Sequence, residues 1–182
     1  MFNPPRQSYS EHGKIYFFTA TINSWKWLLA DEWSKNIVIA SLENLVQRKL
    51  IQVYAYVIMP NHLHLISLSL KNNGKESPRA SFLKYTAHEF KKNLNKNNPE
   101  LLKEYSVNKL NKEYEFWQRD PLSVHLYTRA VMNQKMEYIH NNPLNEKWKL
   151  AKAQEEYRYS SAQFYLNGRD EFNFLTHIGE AW

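Results

Sequence analysis

The sequence predicts an α+β fold in which helices pack on one face of an antiparallel sheet. Two observations lead to this prediction. Four short segments are rich in β-branched and aromatic residues, and two of the intervals between them carry apolar residues at roughly helical spacing. These segments follow one another in the order β-α-β-β-α-β, and one more helix comes after them. Because 182 residues can bury one core of this kind, we expect a single domain over 1–182, with a core of about 14–145 and a C-terminal tail, 146–182, docked on it.

The first half of the chain supplies three predicted strands and one predicted helix. Residues 15–22 (Ile-Tyr-Phe-Phe-Thr-Ala-Thr-Ile) are β-branched or aromatic almost throughout, which is typical of a strand. Residues 31–49 have apolar positions at helical spacing and predict the first helix. The second and third strands are predicted at 52–58 and 62–70, with the Pro-Asn turn at 59–61 between them.

The second half completes the pattern. A helix is predicted over 78–93, a Lys- and Asn-rich stretch at 94–113 has no clear assignment, and 114–118 (Tyr-Glu-Phe-Trp-Gln) predicts the fourth strand. A third helix is expected to begin after Thr128, a suitable N-cap, and to end just before Pro143. The order of elements is that of the ferredoxin-like fold, extended by this C-terminal helix.

Composition narrows the classes of function. The chain has no cysteine, which excludes a disulfide framework, cysteine-ligated zinc and thiol catalysis. There are 24 Lys and Arg against 18 Asp and Glu, a net charge of +6, and the 12 Tyr and 6 Trp could stack on bases, so a nucleic acid partner is favoured. No apolar run approaches a membrane span and the N-terminus lacks the apolar core of a secretory signal, so we expect a soluble, cytoplasmic protein without a membrane partner.

Two histidines inside the third predicted strand are the first candidates for chemistry. Strand side chains alternate between faces, so His62 and His64 emerge together on one face while Leu63 and Leu65 point to the other. Paired imidazoles can form half of a divalent metal site. Their spacing alone leaves a second interpretation open, in which both rings are core residues with hydrogen-bond partners.

Two familiar kinds of metallo-hydrolase do not fit the pair. A His-x-His-x-Asp-His site would need an aspartate and a histidine where this chain has Ile66 and Ser67. An amidohydrolase barrel also begins with His-x-His on a strand, but its eight strand–helix units need about 250 residues. The histidines therefore require their further ligands from elsewhere in the chain.

The third predicted helix offers a nucleophile and a further ligand. Tyr138 and Asn142 are four residues apart and lie near one face of the helix, and Gln134 lies one turn earlier on much the same side. A tyrosine hydroxyl can attack phosphorus and form a covalent link, and an amide oxygen can join imidazoles around a divalent ion. The residues alone also allow an interpretation in which Tyr138 packs at the helix edge and Asn142 is a C-cap before proline.

Four segments together resemble the single-tyrosine transposases that carry a His-hydrophobic-His motif. They are Met-Pro-Asn-His-Leu-His at 59–64, Phe-Trp-Gln-Arg at 116–119, Tyr-Ile-His-Asn-Asn-Pro at 138–143 and Tyr-Ser-Ser at 159–161. The resemblance is nearest to the branch associated with repetitive extragenic palindromes (REP). It runs in order from the first strand to about Tyr165, which is most of the chain.

The resemblance implies a ferredoxin-like catalytic domain that cuts and rejoins single-stranded DNA, usually beside a hairpin. It implies that His62 and His64 hold Mg²⁺ or Mn²⁺ with Asn142 as third ligand. Tyr138 would attack the scissile phosphate and leave a 5′-phosphotyrosine, with no nucleotide cofactor. In the related insertion-sequence enzymes the amide ligand is typically Gln, four residues after the nucleophile, whereas this chain has the shorter Asn.

Three hypotheses follow for the function. The first is a transposase-like His-hydrophobic-His endonuclease and strand transferase that acts on single-stranded or hairpin DNA. The second is a module that grips hairpin DNA or RNA without cutting it, and the third is a nickase of the replication-initiator or relaxase type. All four candidate site residues are present, which favours an enzyme, while the short chain lacks a Gly-rich phosphate loop of a fused helicase. A homodimer is compatible with the sequence, with the tyrosine and the histidines in one chain or across the interface.

Overall fold

The computed structural model describes residues 11–109 and 112–181, and it has the predicted α+β architecture. A four-stranded antiparallel sheet is combined with five α-helices and a small two-stranded hairpin in these ranges. The elements are β1 Ile15–Thr21, α1 Glu32–Gln47, β2 Ile51–Met59, β3 His62–Ser69, α2 Pro78–Asn97, α3 Pro99–Lys103, β4 Ser106–Lys109, β5 Lys112–Tyr114, β6 Leu122–His125, α4 Arg129–Asn141 and α5 Ala162–Asn167. The expectation for the N-terminal segment, residues 1–10, lies outside the described residues.

The sheet has the strand order β2-β3-β1-β6, and every neighbouring pair is antiparallel. A tight turn at Pro60–Asn61 joins β2 to β3, and α1 carries the chain from β1 across to β2. With the β4–β5 hairpin set aside, this is the order that β-α-β-β-α-β elements give in a ferredoxin-like sheet. The predicted fold class is confirmed.

The two faces of the sheet bury different helices. Helices α1 and α2 cover the face that includes Phe18, Leu63 and Leu65. Helix α4 covers part of the opposite face, where Met132 and Ile139 pack in a second apolar cluster with Phe17, Val57 and Ile66. Because strand residues alternate in direction, the even-numbered residues of β3, which include both histidines, belong to the α4 face.

The fourth strand does not lie where the sequence predicted it. We predicted residues 114–118, but the strand that pairs with β1 is β6, Leu122–His125. Phe116 and Trp117 are instead buried under α2: the Trp117 indole N–H donates to Thr86 Oγ1 at 2.9 Å. Aromatic residues that fill a core and aromatic residues in a strand have the same composition, which explains the wrong prediction.

The unassigned stretch at 94–113 folds into several short elements. Helix α2 continues four residues beyond its predicted end, to Asn97, and α3 follows after Asn98, whose side chain accepts from the Leu101 N–H. Strands β4 and β5 then form the small hairpin, and Tyr105 stacks on Phe116 at 4.9 Å between ring centroids. This stretch therefore extends the core on the α2 side.

Residues after 146 bind along β2. The Ile58 N–H donates to the Tyr159 carbonyl at 2.9 Å, the Ser161 N–H to Tyr56 at 3.0 Å, and the Thr176 N–H to Val53 at 2.8 Å. These bonds occupy backbone groups of β2 that no sheet strand pairs with, so the edge is covered. The division into one domain with a docked tail stays a prediction. Across the described residues, no helix combines the length and the apolar character needed to cross a membrane.

Candidate active site

A cleft of about 520 Å³ opens on the α4 face of the sheet. Its floor is formed by β1 and β3, and one wall is the C-terminal half of α4 with the turn that follows it. All four residues singled out from the sequence line this cleft: His62, His64, Tyr138 and Asn142. Gln134, one turn before Tyr138, lines it as well. The structure thus brings the candidates together within one chain, while their roles stay predictions.

His62 and His64 lie side by side at the start of β3, with ring centroids 4.7 Å apart. Both are buried. Burial lowers the pKa of His62 to about 4, helped by the charge of Lys147. Burial also lowers the pKa of His64 to about 3, with smaller contributions from His62 and Lys135. Both imidazoles are therefore neutral at pH 7, the state in which a ring nitrogen can bind a metal.

Asn61 fixes the tautomer of His62. The Asn61 side-chain Nδ2 donates to the Trp25 carbonyl at 3.1 Å, so its Oδ1 must be the atom that faces His62 Nδ1 at 2.7 Å. An amide oxygen only accepts, so the proton of the neutral ring is on Nδ1. The lone pair of His62 is consequently on Nε2. An imidazole held in this way by a neighbour's oxygen is the usual arrangement of a metal ligand.

His64 has one satisfied nitrogen and one unsatisfied nitrogen. Its Nδ1 lies 2.7 Å from Thr19 Oγ1, on the neighbouring strand β1, and its ring stacks on Phe17. Its Nε2 is buried and has no hydrogen-bond partner among the described residues. A buried polar atom without a partner costs about 1–3 kcal/mol, so this nitrogen fits a site completed by a ligand.

Helix α4 presents Tyr138 and Asn142 one turn apart. Thr128 caps the helix as predicted, since its hydroxyl accepts from the Val131 N–H at 3.2 Å. Tyr138 is 49% exposed, and its ring centroid is 5.2 Å from that of His64. Asn142 keeps helical φ/ψ angles and is buried, with Pro143 directly after it. The tyrosine is therefore accessible to a large substrate while the amide is enclosed.

The donor set for a metal ion includes an amide. Within 11–109 and 112–181 there is no group of three or more His, Cys, Asp or Glu residues placed to hold an ion. Two imidazoles and the Asn142 oxygen, with water or a phosphate oxygen in the remaining positions, would form a mixed N/O set compatible with Mn²⁺ or Mg²⁺. The residues present fit such an ion.

One further histidine and two lysines lie outside this cleft. His140 points away from the cleft, and its Nε2 lies 2.9 Å from Ser161 Oγ in the buried contact with the tail. Lys84 and Lys91, on α2, form ion pairs with Glu76 and Glu113 on the opposite side of the sheet. Sequence patterns gave no signal for Asn61 and Thr19 as partners of the histidines, because a turn residue and a strand residue of these types are common everywhere.

Comparison with known proteins supports the fold. No protein-family model matches the chain, and no curated protein matches it. Among solved structures, one similar chain is a REP-associated tyrosine transposase bound to a REP hairpin, at a TM-score of 0.60 and 17% identity, over 97% of this chain and 93% of that chain. Another is a putative transposase from Deinococcus radiodurans, at 16% identity over 78% of this chain and 97% of that chain, with a TM-score of 0.40. The first of these shows that the chain shares its fold, which agrees with the family resemblance of the sequence segments.

Proposed function

We propose that this chain is a transposase-type enzyme that nicks and rejoins single-stranded DNA beside a hairpin, through a covalent 5′-phosphotyrosine on Tyr138. The fold shared with a hairpin-bound REP-associated tyrosine transposase supports the class of protein. One observation carries the mechanism. The Nε2 of His64, which has no hydrogen-bond partner in the described part of the chain, is buried next to the half-exposed ring of Tyr138, in a cleft that Asn142 also lines.

The reaction is a transesterification at phosphorus. The Tyr138 oxygen forms a bond to the scissile phosphorus, and the bond between phosphorus and the 3′ oxygen breaks. The tyrosine hydroxyl loses its proton and the departing 3′ oxygen gains one. Because one phosphodiester replaces another, the covalent intermediate can be attacked by a 3′-hydroxyl and the strand rejoined without a nucleotide cofactor.

The residues around Tyr138 have distinct tasks. His62 and His64, kept neutral by burial and oriented by Asn61 and Thr19, would hold Mg²⁺ or Mn²⁺ together with Asn142. The ion, when bound, polarises the scissile phosphate and stabilises its developing negative charge.

Lysines at the cleft favour a phosphate substrate. Lys135 Nζ lies 5.7 Å from the centre of the Tyr138 ring and 4.9 Å from that of Phe17. Lys147 lines the cleft itself. Two ammonium groups near the cleft, one of them above the tyrosine ring, attract the DNA backbone and lower the cost of bringing its charge to the tyrosine.

The test is formation of a covalent adduct with hairpin DNA that carries a single-stranded flank. With Mn²⁺, wild-type protein should give a denaturation-resistant adduct that retains a 3′ label on the cut strand and releases a 5′ label, because the tyrosine stays on the 5′ phosphate. Tyr138→Phe should abolish it. Tyr127→Phe is the matched control, since Tyr127 is 68% exposed just before the same helix, and it should leave the adduct unchanged. An adduct formed equally by Tyr138→Phe refutes the proposal, and hairpin binding without any wild-type adduct indicates a non-catalytic binding module.

A further inference from the structure

Three tryptophans from two distant segments meet beside His62. Trp25 and Trp27 come from the turns after β1, and Trp148 comes from the segment after α4. The ring centroids of Trp25 and Trp148 are 6.4 and 5.9 Å from that of His62, and those of Trp27 and Trp148 are 5.7 Å apart. We refer to Trp25, Trp27 and Trp148 as the tryptophan cluster.

Two rings of the tryptophan cluster are exposed although they are large and apolar, and the third, Trp148, is half-buried. Trp25 is 55% and Trp27 63% exposed to solvent. Single exposed apolar residues are normal on protein surfaces, but adjacent aromatic rings at the edge of a cleft are typical of a binding surface. Among the described residues, Trp25 and Trp27 belong to neither core cluster, whereas Trp148 packs partly against the cluster on the α4 face.

The backbone that carries these rings is held in place. The Trp25 N–H donates to Ile22 at 2.9 Å, and the Trp25 carbonyl accepts from Asn61, the residue that orients His62. Ser24 and Trp25 both have a φ of +57°, in the left-handed region that residues with a side chain rarely adopt. Such a conformation persists only where surrounding bonds impose it, so the ring is presented in a fixed position relative to the histidine.

The charge beside the tryptophan cluster completes a surface for nucleic acid. Lys147 Nζ lies 5.0 Å from the centre of the Trp148 ring, and no ion pair to Lys147 occurs in the described part of the chain. Aromatic rings that accept bases, next to an ammonium group that contacts the backbone, are what binding of a single strand requires. Lysine is depleted in protein–protein interfaces, so its presence here favours nucleic acid over a protein as the partner.

We propose that the tryptophan cluster stacks the unpaired bases next to the scissile phosphate, while Lys147 contacts the phosphate between them. This inference rests on the proposed function and names where the single-stranded part of its substrate lies. Since every base has an aromatic face, the contact selects unpaired DNA over duplex DNA but not one base over another. The occupant is therefore single-stranded DNA that continues from the nick.

The test compares two single-stranded oligodeoxynucleotides of about ten nucleotides, one with thymine bases and one abasic, bound to protein with Tyr138→Phe to prevent cutting. Binding is measured by fluorescence anisotropy. Trp25→Ala and Trp148→Ala should each weaken binding of the thymine strand by about 5- to 150-fold, the range found for base-stacking aromatics. Tyr85→Ala is the matched control, because Tyr85 is 50% exposed on α2, across the sheet from the cleft, and it should change nothing.

The abasic strand separates base stacking from phosphate binding. The parent protein should bind it more weakly than the thymine strand, and Trp25→Ala should show a smaller difference between the two strands. If the parent protein binds both strands equally, or if the tryptophan variants bind the thymine strand as tightly as Tyr85→Ala, the inference is overturned. The first of these comparisons needs no tryptophan variant, so misfolding cannot obscure it. The adduct assay is independent: loss of wild-type adduct refutes the proposed function, whereas normal adduct with tryptophan-independent binding refutes only the tryptophan cluster.

Discussion

Asn61 is the side chain on which the orientation of the histidine pair most depends. Substitution Asn61→Ala removes the oxygen that accepts from His62 Nδ1 and the amide that donates to the Trp25 carbonyl. The first bond is buried and the second partly buried. Leaving the imidazole N–H unpaired costs about 1–3 kcal/mol, and losing the second bond about 0.5–1.5 kcal/mol. We therefore expect the free energy of unfolding to fall by about 1.5–4.5 kcal/mol.

The same substitution should weaken metal binding. Without Asn61, neither tautomer of His62 is favoured and the ring can turn, so part of the population presents N–H to the ion. Loss of a partner that orients a ligand histidine costs roughly 10- to 100-fold in metal affinity. Calorimetry at pH 7 measures the Mn²⁺ affinity, and urea denaturation without metal measures the free energy of unfolding.

Asn61→Asp separates the two effects. A carboxylate still accepts from His62 Nδ1 but cannot donate to the Trp25 carbonyl. We expect Asn61→Asp to keep Mn²⁺ affinity within a few-fold of wild type or better while it loses stability. If Asn61→Ala binds Mn²⁺ as tightly as wild type, the assignment of His62 as an oriented ligand is wrong.

Three further predictions concern other parts of the molecule. Burial lowers the pKa of His140 to about 4, below the value of about 6.5 in an unfolded chain, so the unfolded state binds more protons between these values and stability falls as pH falls from 6.5 to 4. This contribution to the free energy of unfolding amounts to about 3 kcal/mol. In urea denaturation, His140→Gln should therefore lose less stability than the wild type between pH 6.5 and pH 4. An equal loss in both proteins would contradict the prediction. Thr86→Val leaves the buried Trp117 indole N–H without its acceptor and should cost about 1–3 kcal/mol in urea denaturation, whereas Thr86→Ser should cost less; equal losses would show that the hydrogen bond does not matter. Asn142→Ala should weaken Mn²⁺ binding by at least about tenfold, because even the loss of a residue that only orients a metal ligand has an effect of this size. Asn142→Asp should strengthen binding. If calorimetry finds the same affinity for both variants and the wild type, Asn142 is not a ligand.

Periodicity was sufficient to predict the parts of the site that lie on regular elements. His62 and His64 share a face because strand residues alternate, and Tyr138 and Asn142 share a face because four residues make about one helical turn. In the structure, each of these two pairs does lie on one face of its element and lines the cleft. That these two faces meet could not be deduced from period alone, since it depends on α4 packing on the side of the sheet opposite α1 and α2.

Elements with weak or ambiguous patterns were not predictable. The true fourth strand, Leu122–His125, is only four residues long, and its two apolar residues, Leu122 and Val124, are the exposed ones, so the segment is too short and too little buried to be identified from its pattern. Phe116 and Trp117 carry a stronger strand-like pattern but serve as core residues, because Thr86 on α2 offers the indole a buried acceptor. Local composition cannot distinguish these cases when tertiary contacts decide them.

Contacts between distant segments were also beyond the sequence. Thr19 and His64 are 45 residues apart, and Trp27 and Trp148 are more than 100 residues apart. Their proximity follows from the strand order β3-β1 and from the path of the chain after α4. Only the assembled fold identifies Thr19 as a histidine partner and the tryptophans as one surface.

The central claim is that Tyr138 attacks DNA in the cleft formed with His62, His64 and Asn142. The most direct measurement is mass spectrometry of the protein after reaction with hairpin DNA and Mn²⁺, followed by nuclease and protease digestion. We predict a nucleotide joined through its 5′ phosphate to the peptide that contains Tyr138, absent when the metal is chelated and absent in His64→Ala. A nucleotide found on Tyr127 or another residue, or a Tyr138 adduct formed equally well by His64→Ala, would contradict the account.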